Sequence, residues 1–365
     1  MRSAKTGPVL AKLQGLAKGV VDEIFTLKNP SVAVPTRALS NVKFNEKKSI
    51  IELGNEKQKR YFFNVGQARK FMQTFLIASA CKTLMGQRKT TSIRDLYYMT
   101  KHSMGDSNQN TFDEQEESDP VIEDLEVIVN ALREELNLFA SNRGALVGNI
   151  TMVDSGDTIN CRRLGSGGWS IPSIVEEDVV KIKDSAAKFI LMVEKDAVWR
   201  RLNEDKFWSQ YNCILIHGQG MAPRGVRRLL HRLVSELKIP LYVFVDNDPW
   251  GFYIYSVIKQ GSINLAYESM RMAVPSAKFI GLSSFDREKY SLPANVTIKL
   301  DDTDRNRAKQ ILEYPWFQKK DWQRELHHML KSDVKLELEA LSHKGISFVS
   351  EKYLPEKLKN KEWLD

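Results

Sequence analysis

The chain has few of the features that define secreted or membrane proteins. It contains three cysteines in 365 residues, and Cys81, Cys161 and Cys213 are too far apart to form a metal-ligand pair. This pattern excludes a disulfide framework and indicates a reducing compartment. No apolar run approaches the length of a membrane span, and no signal peptide is evident. We therefore expect a cytoplasmic protein without a membrane partner.

The sequence also lacks the Gly-Lys-Ser/Thr loop that binds nucleotide phosphates in many ATPases. The segment 217–220 follows a strand pattern and opens a helix, but it has no such lysine. If the activity of this protein depends on ATP, we expect another polypeptide to bind the nucleotide. Basic side chains near a helix start attract phosphate. The candidate contacts for a phosphate-bearing partner, such as DNA, are His217, Arg224, Arg227 and Arg143.

The charge balance favours a polyanionic partner. The formal net charge is +8 at pH 7, and the isoelectric point is about 9.1. The segment 112–126 is acidic and has no basic residue. We expect DNA to avoid that segment, since it would repel phosphate.

The pattern along the chain predicts a mixed α/β protein with three parts. An N-terminal extension (1–65) begins with an amphipathic helix over 9–25, which we expect to pack on its own chain or a partner rather than a membrane. Residues 66–165 show helices at 67–84 and 121–141, the second ended by Gly144, and then short strands. That order is compatible with a small winged-helix domain.

A change of periodicity marks the third part, residues 166–365. The Gly165–Gly168 segment is interpreted as a linker, and strands then alternate with helices. Strands are predicted at 188–193, 211–216, 240–245 and 278–282, with helices at 224–237 and 250–261. This alternation predicts a mainly parallel sheet covered by helices, followed by a helical tail.

Acidic residues follow two of these predicted strands. Glu194 comes directly after the run 189–193, and Asp246 and Asp248 come after the run 241–245. Open α/β sheets place their sites at the carboxyl ends of strands, and carboxylate oxygens suit Mg²⁺. An alternative interpretation is helix capping or ion pairing, but three acids together favour a metal. A calcium loop is excluded because its twelfth position is Val257 instead of glutamate.

Two adjacent tyrosines lie on a helical pattern. Arg94 precedes Tyr98 by one helical turn, so the two side chains share a face. A tyrosine nucleophile needs a nearby cation to stabilise its phenolate. The residues alone nevertheless favour packing roles for Tyr97 and Tyr98, with their hydroxyls at the surface.

Several motifs together resemble the A subunits of topoisomerase VI, the type IIB DNA topoisomerases typical of archaea, which are related to the protein that makes meiotic double-strand breaks. The resemblance covers the chain from about residue 35 to its C-terminus. The segments that carry it are 35–41, 93–98, 111–115, 165–169, 193–198, 246–251 and 313–316.

The resemblance implies a winged-helix domain like that of the catabolite activator protein, followed by a Toprim domain. It implies Tyr98 as the nucleophile, Arg94 as its helper at the phosphate, and Glu194, Asp246 and Asp248 as the Mg²⁺ ligands. It further implies double-stranded DNA as substrate and an A2B2 heterotetramer with an A–A homodimer and a GHKL-type ATPase B subunit that binds ATP. In the family, the tyrosine of one subunit works with the metal of the other. The nucleoid of a prokaryotic cell is the implied location.

Three alternatives stay open at this point. A break-forming relative would cleave DNA without resealing it, and a Toprim nuclease would hydrolyse DNA without a covalent intermediate. A non-catalytic DNA-binding scaffold would keep the fold alone. One departure bears on DNA contacts: segment 217–224 is less regular than the Gly-Lys-Gly-x-Pro form of relatives.

Overall fold

The computed structural model describes residues 3–106 and 108–365, with side chains from residue 7 onward. The helices are α1 Ser3–Phe25, α2 Val65–Gln87, α3 Ile93–Thr100, α4 Ser118–Val129, α5 Asp196–Glu204, α6 Phe207–Gln210, α7 Arg224–Leu237, α8 Pro249–Lys259, α9 Ser269–Met272, α10 Asp286–Lys289, α11 Asp302–Glu313, α12 Lys320–Ser332 and α13 Leu354–Asn360. The strands are β1 Ser31–Pro35, β2 Val42–Asn45, β3 Ile50–Leu53, β4 Lys57–Tyr61, β5 Thr91–Ser92, β6 Leu138–Phe139, β7 Ala145–Gly148, β8 Ile150–Asp154, β9 Asp157–Asn160, β10 Trp169–Ser170, β11 Val180–Ser185, β12 Phe189–Val193, β13 Cys213–His217, β14 Leu241–Phe244, β15 Lys278–Gly281, β16 Ile298–Lys299 and β17 Val334–Lys335.

The chain divides into two compact units. The first contains Met1–Asn41 and Gly54–Ser141, and the second contains Val42–Leu53 and Asn142–Asp365. The predicted boundaries at 65 and 165 therefore differ from those of the folded chain. The β2–β3 hairpin of the predicted extension belongs to the second unit, where the Ile51 amide donates to the carbonyl of Gln260 at 2.9 Å.

The first unit is a helical core with small strand pairs. Helices α1 to α4 bury a shared apolar cluster, and β1 pairs with β4 in antiparallel register. Val9 and Leu13 of α1 are 4% exposed, because the apolar stripe of this helix faces the cluster. The N-terminal helix thus packs on its own chain, as one of the predicted alternatives requires. No helix in the part that the structure describes is long and apolar enough to cross a membrane.

The helix predicted over 121–141 is shorter than expected. Helix α4 ends at Asn130, which adopts the left-handed conformation with φ 45° and donates its amide to the last helical turn. Asparagine tolerates that conformation, so it ends the helix well before Gly144. Gly144 has another role: a Cβ there would lie 2.3 Å from the carbonyl oxygen of His217. Its missing side chain lets the chain entering β7 approach β13.

The second unit contains a six-stranded sheet in the order β10-β7-β13-β12-β14-β15. Strands β13, β12, β14 and β15 are parallel, as predicted, whereas β7 and β10 add antiparallel pairs at one edge. β12 is fully buried, with alternate residues in apolar clusters on opposite faces. This two-sided burial explains why its sequence is a continuous apolar run.

Two segments assigned to the winged-helix part belong to the second unit. β7 joins the six-stranded sheet, and β8 and β9 form a three-stranded antiparallel sheet with β11. The predicted linker is also part of this unit, since Asn203 donates to the carbonyls of Gly165 and Ser166. Gly168 has φ +68°, and a Cβ there would lie 2.9 Å from the carbonyl of Leu146. Gly168 therefore serves close packing, whereas Gly165 and Gly167 have open space around them.

Candidate active site

Two carboxylates meet at the carboxyl ends of the adjacent strands β12 and β14. Val193 pairs with Phe244 in parallel register, so the residues that follow leave the sheet at the same edge. The Asp246 amide donates to Glu194 Oε2 at 2.9 Å. Both residues are buried, at 9% and 5% exposure. The structure therefore brings together Glu194 and Asp246 from distant parts of the sequence.

Asp248 lies two residues further along and has a structural task as well. It is the N-cap of α8, and its Oδ1 accepts the Gly251 amide at 2.6 Å. A Cβ on Gly251 would lie 2.3 Å from the Asp246 carbonyl oxygen. Glycine at this position lets the first turn of α8 press against the loop, which explains the Asp-Asn-Asp-Pro-Trp-Gly sequence.

The environment of these carboxylates disfavours their charged forms. Burial, followed by the charge of Asp246, raises the pKa of Glu194 to about 8. Burial raises the pKa of Asp246 to about 6, although the Leu338 amide and Lys195 act in the opposite direction. The pKa of Asp248 is also raised, mainly by burial. A nearby divalent cation would relieve this destabilisation.

The carboxylates of Glu194, Asp246 and Asp248 suit a hard cation chemically, but they do not yet form a complete coordination shell. Within residues 3–106 and 108–365, no three His, Cys, Asp or Glu side chains already surround one metal position. One oxygen each of Glu194, Asp246 and Asp248 accepts a backbone amide, which fixes the carboxylate plane. Glu194, Asp246 and Asp248 are the residues that would hold the ion, because carboxylate oxygens are the ligands that hard divalent cations prefer.

Lys195 is a site residue that the sequence prediction missed. Its ammonium lies 3.0 Å from Asp246 Oδ2, 3.1 Å from Glu337 Oε2 and 2.7 Å from Glu339 Oε2. Burial alone would lower the pKa of Lys195, but hydrogen bonds to these carboxylates raise it above its usual value. The only sequence signal was its position beside Glu194.

The loop between the two aspartates is supported from a distant helix. The Asn247 amide and carbonyl pair with Leu336 at 2.9 and 3.1 Å. The Asn247 side chain donates to Ser284 Oγ and to Glu325 Oε1 of α12. Glu325 is 2% exposed and also accepts the Ser283 hydroxyl and the Ser284 amide. These contacts orient the carboxylates on either side of Asn247.

The tyrosine pair lies on α3 in the first unit. Ser92 caps this helix by accepting the Asp95 amide at 3.0 Å. Tyr97 is 6% exposed, and its hydroxyl donates to the Asp113 carbonyl and accepts from Lys101 Nζ, each at 2.8 Å. Tyr98 is 61% exposed and packs edge-on against the Tyr97 ring. The two hydroxyls therefore differ: one is bound within the fold, and the other faces solvent.

The loop after α3 fixes that difference. Thr111 Oγ1 donates to the Thr100 carbonyl at 2.7 Å, and the Thr111 carbonyl accepts Gln73 Nε2 of α2 at 2.7 Å. Phe112 is fully buried next to the Tyr97 ring. The Thr-Phe-Asp sequence thus anchors the carbonyl that binds Tyr97. Arg94 is exposed on α3 and forms no ion pair with any residue that the structure describes.

The residues predicted to contact DNA differ in their burial and in the partners they already have. His217 ends β13, is 2% exposed, and has its Nε2 3.4 Å from Asp196 Oδ1; burial lowers its pKa. Arg224 is ion-paired with the buried Glu268, and Arg227 is 5% exposed. The polar groups of these three side chains are buried or already bound within the chain, and their contact with DNA stays a prediction. Arg143 is exposed and, together with His217, lines a pocket of about 200 Å³.

Comparison with known proteins decides the family. A family model for the Toprim domain of Spo11 and the topoisomerase 6 A subunit matches residues 189–358. The model "Type IIB DNA topoisomerase" matches 69–138, and "All-beta domain in DNA topoisomerase VI alpha subunit" matches 142–186. The type 2 DNA topoisomerase 6 A subunit of Pyrococcus horikoshii is 45% identical over 96% of this chain and 94% of its own length. The chain belongs to the topoisomerase VI A-subunit family.

More distant relatives agree with this assignment. The type 2 DNA topoisomerase 6 A subunit of Hyperthermus butylicus is 39% identical over 98% of this chain and 96% of its own length. The DNA topoisomerase 6 A3 subunit of Oryza sativa is 35% identical over 98% of this chain and 78% of its own length. The predicted family, enzyme class and Toprim domain are confirmed. The Toprim match begins at β12 and contains Glu194, Asp246 and Asp248.

Proposed function

We propose that this chain is the DNA-cleaving and religating subunit of an ATP-dependent type IIB topoisomerase, and that it works on chromosomal DNA in the nucleoid. The observation that carries the chemistry is the difference between the two tyrosines. Tyr97 has its hydroxyl bound by Lys101 and a backbone carbonyl, whereas Tyr98 offers its hydroxyl to solvent. An exposed tyrosine with an arginine on the same helical face is suited to attack a phosphodiester.

The proposed reaction is a transesterification. The Tyr98 oxygen attacks a DNA phosphorus in line, the phosphotyrosyl bond forms, and the bond to the sugar oxygen breaks. The tyrosyl proton is lost, and the leaving sugar oxygen gains a proton to become a hydroxyl end. Resealing is the reverse exchange, so the chemistry itself consumes no ATP. Strand passage between the two steps would relax or decatenate DNA.

The other residues have positioning and electrostatic roles. Arg94 would stabilise the added negative charge on the phosphate in the transition state. Glu194, Asp246 and Asp248 would hold Mg²⁺, which supplies charge neutralisation at the phosphate and the leaving oxygen. Burial and mutual repulsion of the carboxylates support cation binding, since both raise the pKa of Glu194 and favour a compensating charge.

We further propose an A2B2 assembly on double-stranded DNA. Cutting two strands requires two tyrosines, which a two-fold A–A homodimer would provide. The missing phosphate-binding loop supports a separate B subunit with a GHKL-type ATPase. The first unit carries several exposed large apolar side chains, which suit contact with such a partner. They are those of Phe25, Leu27, Phe63 and Val65, which are between 73% and 97% exposed.

The helical unit is proposed to serve as the winged-helix DNA-binding domain that presents Tyr98. The strands first assigned to its wing belong to the second unit, so the helices α2 to α4 and the strand pair β5–β6 would have to form its core. The match of residues 69–138 to a type IIB topoisomerase model supports this proposal.

The decisive test is covalent capture. Supercoiled DNA would be incubated with the chain, a B-type partner, Mg²⁺ and ATP, stopped with detergent, and analysed for tyrosine-linked nucleotide by mass spectrometry. We expect the adduct on Tyr98, none in Tyr98→Phe, and an undiminished adduct in Tyr253→Phe, which alters a half-buried tyrosine of the second unit. An adduct on Tyr97 would move the nucleophile. Double-strand cutting without any protein-linked end would replace the topoisomerase proposal with a Toprim nuclease.

A further inference from the structure

A lysine is ion-paired with one of the site carboxylates. Lys195 follows Glu194 at the end of β12, and its ammonium lies 3.0 Å from the Oδ2 oxygen of Asp246. The other oxygen, Oδ1, accepts the Leu338 amide at 2.7 Å and is held by the backbone. Lys195 therefore contacts the Asp246 oxygen that the backbone leaves available to a divalent cation.

The segment 337–339 gives this ammonium two other partners. Glu337 and Glu339 flank Leu338, whose amide is bound to Asp246, so their side chains reach Lys195 from the same short segment. Both glutamates are about half exposed, at 51% and 45%, whereas the Asp246 side chain is 7% exposed. Lys195 can thus release Asp246 and still be held by two carboxylates.

We propose that Lys195 is a built-in counter-ion that competes with a divalent cation for Asp246, while Glu337 and Glu339 hold its ammonium when the cation takes that oxygen. The inference rests on the proposed metal-binding function of Glu194 and Asp246. Lys195 is accordingly a positioning residue, which sets the affinity for the metal.

The sign of the effect follows from Coulomb's law. A positive charge that shares an oxygen ligand with Mg²⁺ repels the ion and must be displaced from that ligand. Replacing lysine with methionine keeps most of the apolar stem and removes the charge. We expect Lys195→Met to tighten Mg²⁺ binding at least about fivefold. Lys195→Arg keeps the charge and should stay within about threefold of the unchanged chain.

The measurement is isothermal titration of the full chain with MgCl2, without DNA or nucleotide. Lys183→Met is the matched control, because Lys183 is an exposed lysine on β11 and its loss changes the net charge equally. Its affinity should match that of the unchanged chain within about twofold. Thermal unfolding of each variant, with and without Mg²⁺, checks that the protein is folded. Unchanged or weaker binding by Lys195→Met would overturn the inference.

A second measurement tests the two glutamates. In Glu337→Gln/Glu339→Gln, Lys195 keeps only Asp246 as a carboxylate partner, so Mg²⁺ binding should weaken at least about fivefold. Adding Lys195→Met to this variant should tighten binding by a larger factor than in the unchanged chain, because the competition is then stronger. Equal factors in the two backgrounds would refute the proposed transfer of the ammonium to the glutamates.

Failure of the inference and failure of the proposed function can be separated. If the unchanged chain binds no Mg²⁺, or if Asp246→Asn binds it equally well, the metal assignment itself is wrong. If Asp246→Asn loses binding while Lys195→Met has no effect, the metal assignment stands and the counter-ion role of Lys195 is refuted.

Discussion

Proton release on metal binding is a quantitative consequence of the buried carboxylate pair. The pKa of Glu194 is raised to about 8 and that of Asp246 to about 6. A raised carboxylate pKa means that the proton is retained to higher pH, so a cation must displace it. With these values, the Glu194–Asp246 pair would hold about one proton at pH 7, and binding of an ion should release it. The release from this pair should approach about two protons at pH 5 and become small at pH 9.

Calorimetry in buffers of different ionisation enthalpy measures this number directly. Titrations of the chain with MgCl2 in PIPES, HEPES and imidazole at pH 7 give the proton count from the slope of the observed enthalpy against buffer enthalpy. The affinity itself should rise roughly tenfold per pH unit between pH 6 and pH 8 and level off above pH 8. Glu194→Gln should bind more weakly and release almost no proton at pH 7. A release near zero from the unchanged chain would show that the pair is already ionised or does not bind the ion.

Three further predictions concern stability and catalysis. With a chelator present, Glu194→Gln should unfold at a higher temperature than the unchanged chain at pH 8.5, and at the same temperature near pH 4. The reason is that folding raises the pKa of Glu194 from 4.5 to about 8. Ionisation of Glu194 therefore lowers the free energy of unfolding as the pH rises through that range, by roughly 5 kcal/mol at most. Gly251→Ala should destabilise the fold by about 1–3 kcal/mol and weaken Mg²⁺ binding, because the added Cβ would lie 2.3 Å from the Asp246 carbonyl oxygen. The control is Gly86→Ala, where the added Cβ meets open space, and this variant should not be destabilised in denaturant titrations. Arg94→Ala should slow DNA cleavage about 100-fold or more while filter binding of DNA changes little, and an undiminished cleavage rate would remove Arg94 from the mechanism.

Local patterns determined the elements whose own residues specify them. Helix α7 occupies 224–237, as its apolar spacing predicts, because an amphipathic stripe both forms and orients a helix. The continuous apolar runs at β12 and β14 predict strands buried on both faces, and parallel pairing then places Glu194 and Asp246 at one edge of the sheet. Sequence motifs also indicated the family, which the relatives confirm.

Long-range contacts decided the rest. Residue 130 ends α4 through a left-handed conformation, and Gly144 is required by the approach of another strand, neither of which apolar spacing reports. The short strand β7 has no pattern that distinguishes a wing from an edge strand, so only its pairing with β13 assigns it to the second unit.

The same limit applies to the candidate site. Tyr97 and Tyr98 are chemically identical in the sequence, and they differ because the loop at 111–113 binds one hydroxyl and leaves the other in solvent. Lys195 is far from Glu337 and Glu339 in the sequence, and only the tertiary fold brings their side chains together. Sequence periodicity determines which residues are buried, whereas hydrogen bonds between distant segments determine which polar groups remain available for chemistry.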